Sequence, residues 1–277
     1  MLEVSLYIPC YNASQYIEKC LESILQQNYP IKEILIVDDG STDNTLEIIK
    51  KQSKLRIVQH NDNKGLGTAR NTAFQNLQTE FIANIDADCV ADEHWLARLM
   101  ENFTEEKIAG IGGKLVDINK SSIPDYWRLV HMKQDWGNEK ITNPEWLFGH
   151  SAVFRKSAWV SVQGYQEKFR TNYEDLDFSR RLKEKGYTLL YEPNAIVNHL
   201  RKDTVSSVLK TRWAWTALGV HGNITSMEII KNIGRNFGRS FKYFSQDLSH
   251  GRFSLLGLDF ALGFYSSYAD LRSVLCR

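Results

Sequence analysis

Cysteine is scarce in this 277-residue chain, and the four present (Cys10, Cys20, Cys89, Cys276) form no Cys-x-x-Cys pair and no finger-like spacing. That excludes a disulfide framework and leaves reduced, mostly packed thiols as the expectation. Long apolar runs are also missing: the best candidate, Leu255 to Tyr268, is interrupted by Asp259 and by several Gly and Ser. It falls short of the ~20 apolar residues of a spanning helix. No basic segment followed by an apolar region precedes Val4-Ser5-Leu6-Tyr7-Ile8, so secretion is not indicated. The expected location is cytoplasmic, with peripheral contact at the inner face of a membrane as its extension. No basic run with interleaved aromatics sits on a nucleic-acid-binding motif, which argues against a nucleic-acid partner. Net charge is almost absent at +1, yet it is unevenly spread: residues 201 to 277 hold eleven Lys or Arg against five Asp or Glu, a net of +6, leaving −5 for residues 1 to 200. A basic tail fits an anionic partner such as a membrane surface or a lipid-linked phosphate, and equally a solvated basic face.

What is present is ordinary globular material, 43% hydrophobic and long enough for a proper core. Val4 to Ile8 reads as a strand, and Ile17, Cys20, Leu21, Ile24 and Leu25 recur at helical spacing. Glu33 to Val37 is a second strand ending in Asp38-Asp39-Gly40-Ser41, followed by a helix over Leu46 to Lys51. Leu55 to Gln59, a helix from Ala69 to about Leu77, and the run Phe81 to Asp86 continue the alternation. Trp95 to Phe103 reads as a helix and Ala109 to Val116 as a strand. Residues 121 to 150, rich in Trp, His and Asn, show no clear period and read as an irregular pocket lining. A strand at Ser151 to Arg155, a helix from Phe178 to Lys185 preceded by Glu174-Asp175-Leu176-Asp177, and strands at Tyr187 to Tyr191 and Ala195 to Val197 follow. From Asp203 onward only helices are expected. Strands alternating with helices imply an α/β fold whose largely parallel sheet binds its ligand beyond the C-terminal strand ends. The Tyr11 loop, Asp39 and the Asp86-Ala87-Asp88 tip all fall at such ends and should converge.

The acidic tip carries the clearest chemistry. If strand conformation persists to its end, Asp86 and Asp88 point to one face and would repel unless a cation, a proton or separate solvation relieved them. Hard divalent cations prefer such oxygen ligands; a solvated acidic loop is the alternative.

The order Val4-Ser5-Leu6-Tyr7-Ile8-Pro9-Cys10-Tyr11-Asn12, Ile36-Val37-Asp38-Asp39-Gly40-Ser41-Thr42-Asp43, Gly65-Leu66-Gly67-Thr68-Ala69-Arg70-Asn71, Asp86-Ala87-Asp88 and Tyr173-Glu174-Asp175-Leu176-Asp177 resembles the family 2 glycosyltransferases with a GT-A fold. The resemblance covers roughly residues 1 to 200. It implies a Rossmann-like, mostly parallel central sheet flanked by helices: a nucleotide-sugar-binding half at residues 1–112, an acceptor-binding half at 113–200 and a helical C-terminal extension at 201–277. It also implies inverting transfer of a sugar from a nucleotide-diphosphate sugar, a UDP-sugar first among them, to a saccharide or lipid-linked saccharide acceptor with Mn²⁺ or Mg²⁺, in polysaccharide or glycolipid synthesis.

Carried over residue by residue, the resemblance puts Asp88 on the metal and Asp86 on metal or ribose. Asp39 and Tyr11 then take the base, with Pro9 and Asn12 in the same nucleotide loop. Arg70, early in its helix, is placed to reach the diphosphate. Asp175 is the expected base that deprotonates the acceptor, with Glu174 second, and His199 matches a position where some members carry a further metal ligand. Trp146, His150 and Arg181 are the candidates for the sugar or acceptor border. A nucleotidyltransferase is the nearest rival, but it calls for a Gly-rich basic loop where this chain has Pro9-Cys10-Tyr11-Asn12. A non-catalytic scaffold is the other, and intact Asp88 and Asp175 argue against it. A homodimer and peripheral membrane contact are the partner expectations for the tail.

Overall fold

The computed structural model describes residues 1–170, 172–217 and 226–275. Cys276 lies outside them, and Cys10, Cys20 and Cys89 are buried free thiols. The chain divides into two compact units, one of residues 1–118 and 134–201, the other of 119–133 and 202–277.

The first unit is a sheet with helices on both faces. It runs β1 (Val4–Cys10), α1 (Ile17–Leu25), β2 (Ile31–Asp38), α2 (Thr45–Lys50), β3 (Arg56–Gln59), α3 (Leu66–Asn76), β4 (Phe81–Ile85), β5 (Cys89–Ala91), α4 (Trp95–Met100) and β6 (Ile108–Asp117). Between this stretch and its continuation the chain forms α5 (Ile123–His131), a helix of the second unit. It then returns as β7 (Ile141–Thr142), β8 (Ser151–Arg155), α6 (Lys156–Ser161), α7 (Glu174–Glu184) and β9 (Thr188–His199). The strand order is β3-β2-β1-β4-β8-β6-β9-β5, with β7 paired to β9. Strands β3, β2, β1 and β4 are mutually parallel, as the alternation with helices requires. Antiparallel β8 is inserted between β4 and β6, and β6 and β9 are again parallel.

Period-two alternation sets the two faces of the sheet. Leu6, Ile8, Ile36, Phe81, Ala83 and Ile85 point to one side and pack with Ile17, Leu21, Ile24, Trp95 and Leu99. Tyr7, Leu35, Val37 and Ile82 point to the other and pack with Phe74, Phe154, Phe178 and Leu182. At ~25 cal/mol per Å² of apolar surface removed from water, these two layers dominate the stability of the unit.

Three expectations change. The two separate strands expected around Pro193 are one strand, β9, whose pairing with β6 jumps from Gly113↔Glu192 to Lys114↔Ile196. At that jump Gly113 has no room for a side chain, since a Cβ there would lie 2.4 Å from the Ala195 carbonyl oxygen. The segment read as irregular contains α5, which begins at Ser122, whose Oγ accepts the Asp125 N–H, and has Pro124 in its first turn. Its aromatic content masked an amphipathic helix too short to show several periods. The acidic run Glu174 to Asp177 does not precede its helix but forms its first turn, where the helix dipole favours negative charge.

The second unit is helical: α5 with α8 (Val205–Ala217), α9 (Ser226–Ser249) and α10 (Leu256–Leu275). Its core holds Trp127, Met132, Val208, Leu209, Leu255, Leu258 and Leu262. Arg128 pairs with Asp203, and the Asp203 N–H donates to Asp125 Oδ1, so the entry to α8 is held by buried polar contacts. Among the described residues no helix is long and apolar enough to cross a membrane.

Candidate active site

The strand does not persist to the acidic tip. β4 ends at Ile85, and Asp86 to Asp88 form a turn closed by the Cys89 N–H donating to the Asp86 carbonyl at 3.0 Å. The Asp86 N–H is in turn held by the His150 carbonyl at 3.0 Å. The two carboxylates therefore separate instead of sharing one face, and each finds a different cation.

Asp86 Oδ1 lies 3.4 Å from Arg70 Nη2. Arg70 projects from α3, is only 1% exposed, places Nε 3.5 Å from Glu174 Oε1 and donates through Nη1 to Tyr7 Oη at 3.3 Å. The guanidinium is thus the buried counterion of a carboxylate group gathered from β4 and α7. Burial pushes Asp86 up to about 6 despite Arg70, with the charge of Asp88 adding to the rise. Glu174 and its neighbour Asp175 are pushed upward as well, first by burial, and Glu174 further by the charge of Asp175.

Asp175 is held at both oxygens: the Gly149 N–H donates to Oδ2 at 2.9 Å and the Leu176 N–H to Oδ1 at 2.8 Å. A Cβ at Gly149 would come within 2.6 Å of Arg70 Nη2, so a larger residue there would push against the guanidinium. Just before Glu174, Tyr173 takes a left-handed backbone with φ 69°, which costs roughly 1–3 kcal/mol in a bulky residue and is typical of functional turns. The start of α7 is aimed by that turn.

Asp88 faces the other way. Its Oδ2 lies 3.2 Å from His199 Nε2, and His199 Nδ1 lies 2.6 Å from Asp117 Oδ1. The sheet builds this row: His199 is registered with Asp117 on β6 and with Cys89 on β5. Burial opposes charge on both groups, but the contacts overcome it. His199 is raised to about 9 by Asp117 and Asp88, and Asp88 is held down at about 2 by His199 and Arg201. Carboxylate, imidazole and second carboxylate in line is the arrangement in which one carboxylate orients a metal-binding His through its far nitrogen. Asp88 and His199 therefore fit a divalent cation as oxygen and nitrogen ligands, with Asp117 behind them.

The loops at the ends of β1 and β2 sit together. Asn12, at φ 50°, accepts the Thr42 N–H at 2.8 Å, and its own N–H donates to Ser41 Oγ at 2.9 Å. Tyr11 stands 48% exposed beside them, whereas Pro9 lies inside β1 opposite Val37. The Asp39 carboxylate accepts the Lys64 N–H at 2.9 Å and the Gly65 N–H at 2.8 Å, and meets His60 Nδ1 at 2.7 Å. It organises the approach to α3 as well as standing at the expected nucleotide end.

His150 is buried, its Nε2 donates to the Gln134 carbonyl at 2.9 Å, and burial lowers it to about 4, so it is neutral. Trp146 belongs to an aromatic group with Trp136 and Phe148 on which His150 stacks. Arg181 donates through Nε to Asp177 at 2.7 Å and through Nη1 to the Val162 carbonyl at 2.6 Å, while its Nη2 is buried without a hydrogen bond.

Sequence reasoning missed Asp117, Tyr7, His60 and the backbone of Gly149 and His150. Asp117 had a signal in principle, an acidic residue ending a strand, but its pairing with His199 depends on strand register.

A family model described as Glycosyl transferase family 2 matches residues 5–168. The poly-beta-1,6-N-acetyl-D-glucosamine synthase of Staphylococcus epidermidis is 31% identical over 225 residues, covering 78% of this chain and 54% of that protein. The protein of the same name from Staphylococcus aureus strain COL is 30% identical over the same length. The chain spans about half the length of the curated relatives it matches. Among solved structures, the mannosyltransferase PcManGT from Pyrobaculum calidifontis, in complex with GDP-Man and Mn²⁺, aligns with a TM-score of 0.65 at 14% identity, over 97% of this chain and 87% of that one. S. aureus TarS 1–349 in complex with UDP-GlcNAc aligns at 0.57 and 20% identity, over 84% and 70%. At these identities the structural likeness speaks for the fold, the GT-A architecture expected from the sequence.

Proposed function

The chain belongs to glycosyl transferase family 2, and from that premise we propose that it moves a sugar, with inversion, from a nucleoside-diphosphate sugar to an acceptor hydroxyl. The donor put first is UDP-N-acetylglucosamine, because the curated relatives are named as synthases of an N-acetylglucosamine polymer and TarS is described with UDP-GlcNAc. The acceptor is a growing or lipid-linked saccharide.

The observation that carries the reading is the gathering of Asp86, Glu174 and Asp175 around the buried Arg70, with Asp88 backed by His199 and Asp117 two residues from Asp86. Asp88 and His199 would hold Mn²⁺ or Mg²⁺, which supplies Lewis-acid stabilisation of the leaving diphosphate; an imidazole ligand favours Mn²⁺ of the two. Tyr11, Asn12 and Asp39 line the nucleotide end. Asp175 takes the acceptor proton as the acceptor oxygen bonds to the anomeric carbon and the bond from that carbon to the diphosphate breaks. Its two backbone N–H donors fix its orientation, and its raised pKa strengthens it as a base. Arg70 keeps the neighbouring carboxylates from repelling one another.

The test is turnover or slow hydrolysis of UDP-GlcNAc and a panel of other nucleotide sugars, with and without Mn²⁺. Metal-stimulated product that disappears in Asp88→Ala supports the reading. A broad panel with neither metal-dependent binding nor turnover overturns it in favour of a scaffold.

A peripheral membrane contact has its own support. On α9 and α10, Phe237, Phe241, Phe260, Phe264 and Tyr268 are exposed, and Phe264 packs edge-on against Phe237 at 5.0 Å. Lys231, Arg235 and Lys242 lie on the same α9. Apolar rings beside basic side chains suit an anionic lipid interface. Co-sedimentation with phosphatidylglycerol vesicles that falls in Phe241→Ser/Phe260→Ser supports it. Unchanged co-sedimentation removes it, and loss of self-association in the same variant would assign the face to a homodimer instead.

A further inference from the structure

The helical unit contains a second histidine–carboxylate cluster that the transferase reading does not use. His131 closes α5, Asp247 lies near the end of α9, and Asp259 is in the first turn of α10. His131 Nε2 is 2.8 Å from Asp247 Oδ2 and 3.8 Å from Asp259 Oδ1, and one ligand atom from each residue lies within 4.8 Å of the other two. Both carboxylates are fully buried. The imidazole is clamped between rings, with centroids 4.9 Å from Trp127 and 4.4 Å from Tyr243.

The hydrogen-bond inventory of this cluster does not close. Trp127 Nε1 donates to Asp259 Oδ1 at 2.7 Å, leaving Asp259 Oδ2 buried with no donor. Asp247 Oδ2 meets His131, while Oδ1 has Arg252 Nη1 at 3.3 Å but no hydrogen bond. Each neutral imidazole N–H satisfies one acceptor, so the pair is short of positive partners in a place where an unpaired buried carboxylate is costly. Burying two carboxylates beside a rigid imidazole is the chemistry of a cation site. The observed separations also bracket the roughly 3.3 Å expected between ligands bonded to one ion at 2.0–2.2 Å.

We propose that His131, Asp247 and Asp259 bind one divalent transition-metal ion, with Zn²⁺ as the fitting case, that ties α5, α9 and α10 together. Of the three residues only His131 borders an open cavity of about 480 Å³, whose lining also includes Val130, Gln246, His250 and Arg252. Bound at the carboxylate of Asp259, the ion would offset the negative charge that Oδ2 carries there without a donor. Because it binds the folded unit and not the unfolded chain, it raises thermal stability by mass action.

The experiment uses the full chain in an Asp88→Ala background, so that the donor site does not contribute. Chelator-stripped protein is titrated with Zn²⁺ calorimetrically, with metal content after dialysis and thermal melting measured in parallel. Expected are one tight Zn²⁺ per chain, a melting midpoint raised by several degrees, and loss of both in Asp88→Ala/Asp259→Asn. Asn keeps the shape of Asp, and the metal-free melting curve reports whether the variant is folded; His131→Gln is the second variant and loses the same binding. No Zn²⁺ uptake in Asp88→Ala overturns the site and leaves a proton shared by the two carboxylates as its explanation. Equal uptake in either folded double variant also overturns it, by assigning the ion elsewhere.

Discussion

Among the described residues two clusters each join one histidine to two aspartates, and they behave in opposite ways. In the sheet unit His199 has a carboxylate at each ring nitrogen, Asp117 at 2.6 Å and Asp88 at 3.2 Å, and its pKa rises to about 9. In the helical unit both aspartates crowd the same nitrogen of His131, and burial prevails to lower its pKa. Residue types therefore do not decide the charge of a buried imidazole; the number of its nitrogens that meet an anion does. The sheet produces the first geometry by register, since His199 stands opposite Asp117. Three helix ends produce the second.

The largest expected effect comes from breaking the first cluster at its outer member. Asp88→Ala removes the proposed oxygen ligand, and metal-dependent turnover should fall by about 10³-fold or more, measured as product per enzyme at saturating donor. A loss under tenfold would detach the cluster from catalysis. A contrast within the same site is Asp175→Asn, which should lower kcat by about 10²–10⁴-fold while leaving the Mn²⁺ concentration for half-activation unchanged. If both shift together, base and metal functions have not been separated. Next in size is Asp117→Asn, whose proposed influence on the metal runs only through His199; apparent Mn²⁺ affinity should weaken about 10–100-fold with kcat at saturating metal nearly kept.

The smallest effect concerns the metal-free protein and depends on the sign of the shift. The folded value of His199, about 9, exceeds the ordinary imidazole value of 6.5. Its protonation therefore stabilises the fold fully below pH 6.5, and that contribution is lost as pH rises through 9. In chelator, the melting midpoint should fall by about 5 °C more across this range than in His199→Gln. An identical pH profile for the two proteins would mean that the imidazolium contributes nothing, and the contrast between the clusters would collapse.

Much of the first unit was readable along the chain. Short apolar runs ending in Pro9, Asp38 and Asp86 are strands because their alternation buries both faces, and the intervening helices show helical spacing. The antiparallel setting of β8 was not readable, since Ser151 to Arg155 has the same apolar character whichever way it runs. Nor was α5, whose nine residues span about two and a half turns. Within the site, acidic residues at strand ends stand out locally. Their partners Tyr7, Asp117 and the Gly149 N–H do not, because they are brought in by register and by loop packing.

Asp86 and Asp88 put the division most sharply. By itself the sequence determined that two carboxylates flank Ala87 at the end of an apolar strand, and that Glu174 and Asp175 lie beside a helix start. Only the tertiary structure decided that Asp86 would meet Arg70 and rise to about 6 while Asp88 would meet His199 and fall to about 2. The reason is that desolvation and Coulomb energy depend on distance and burial in space, and two residues with nearly the same neighbours in sequence can have different nearest partners in the fold.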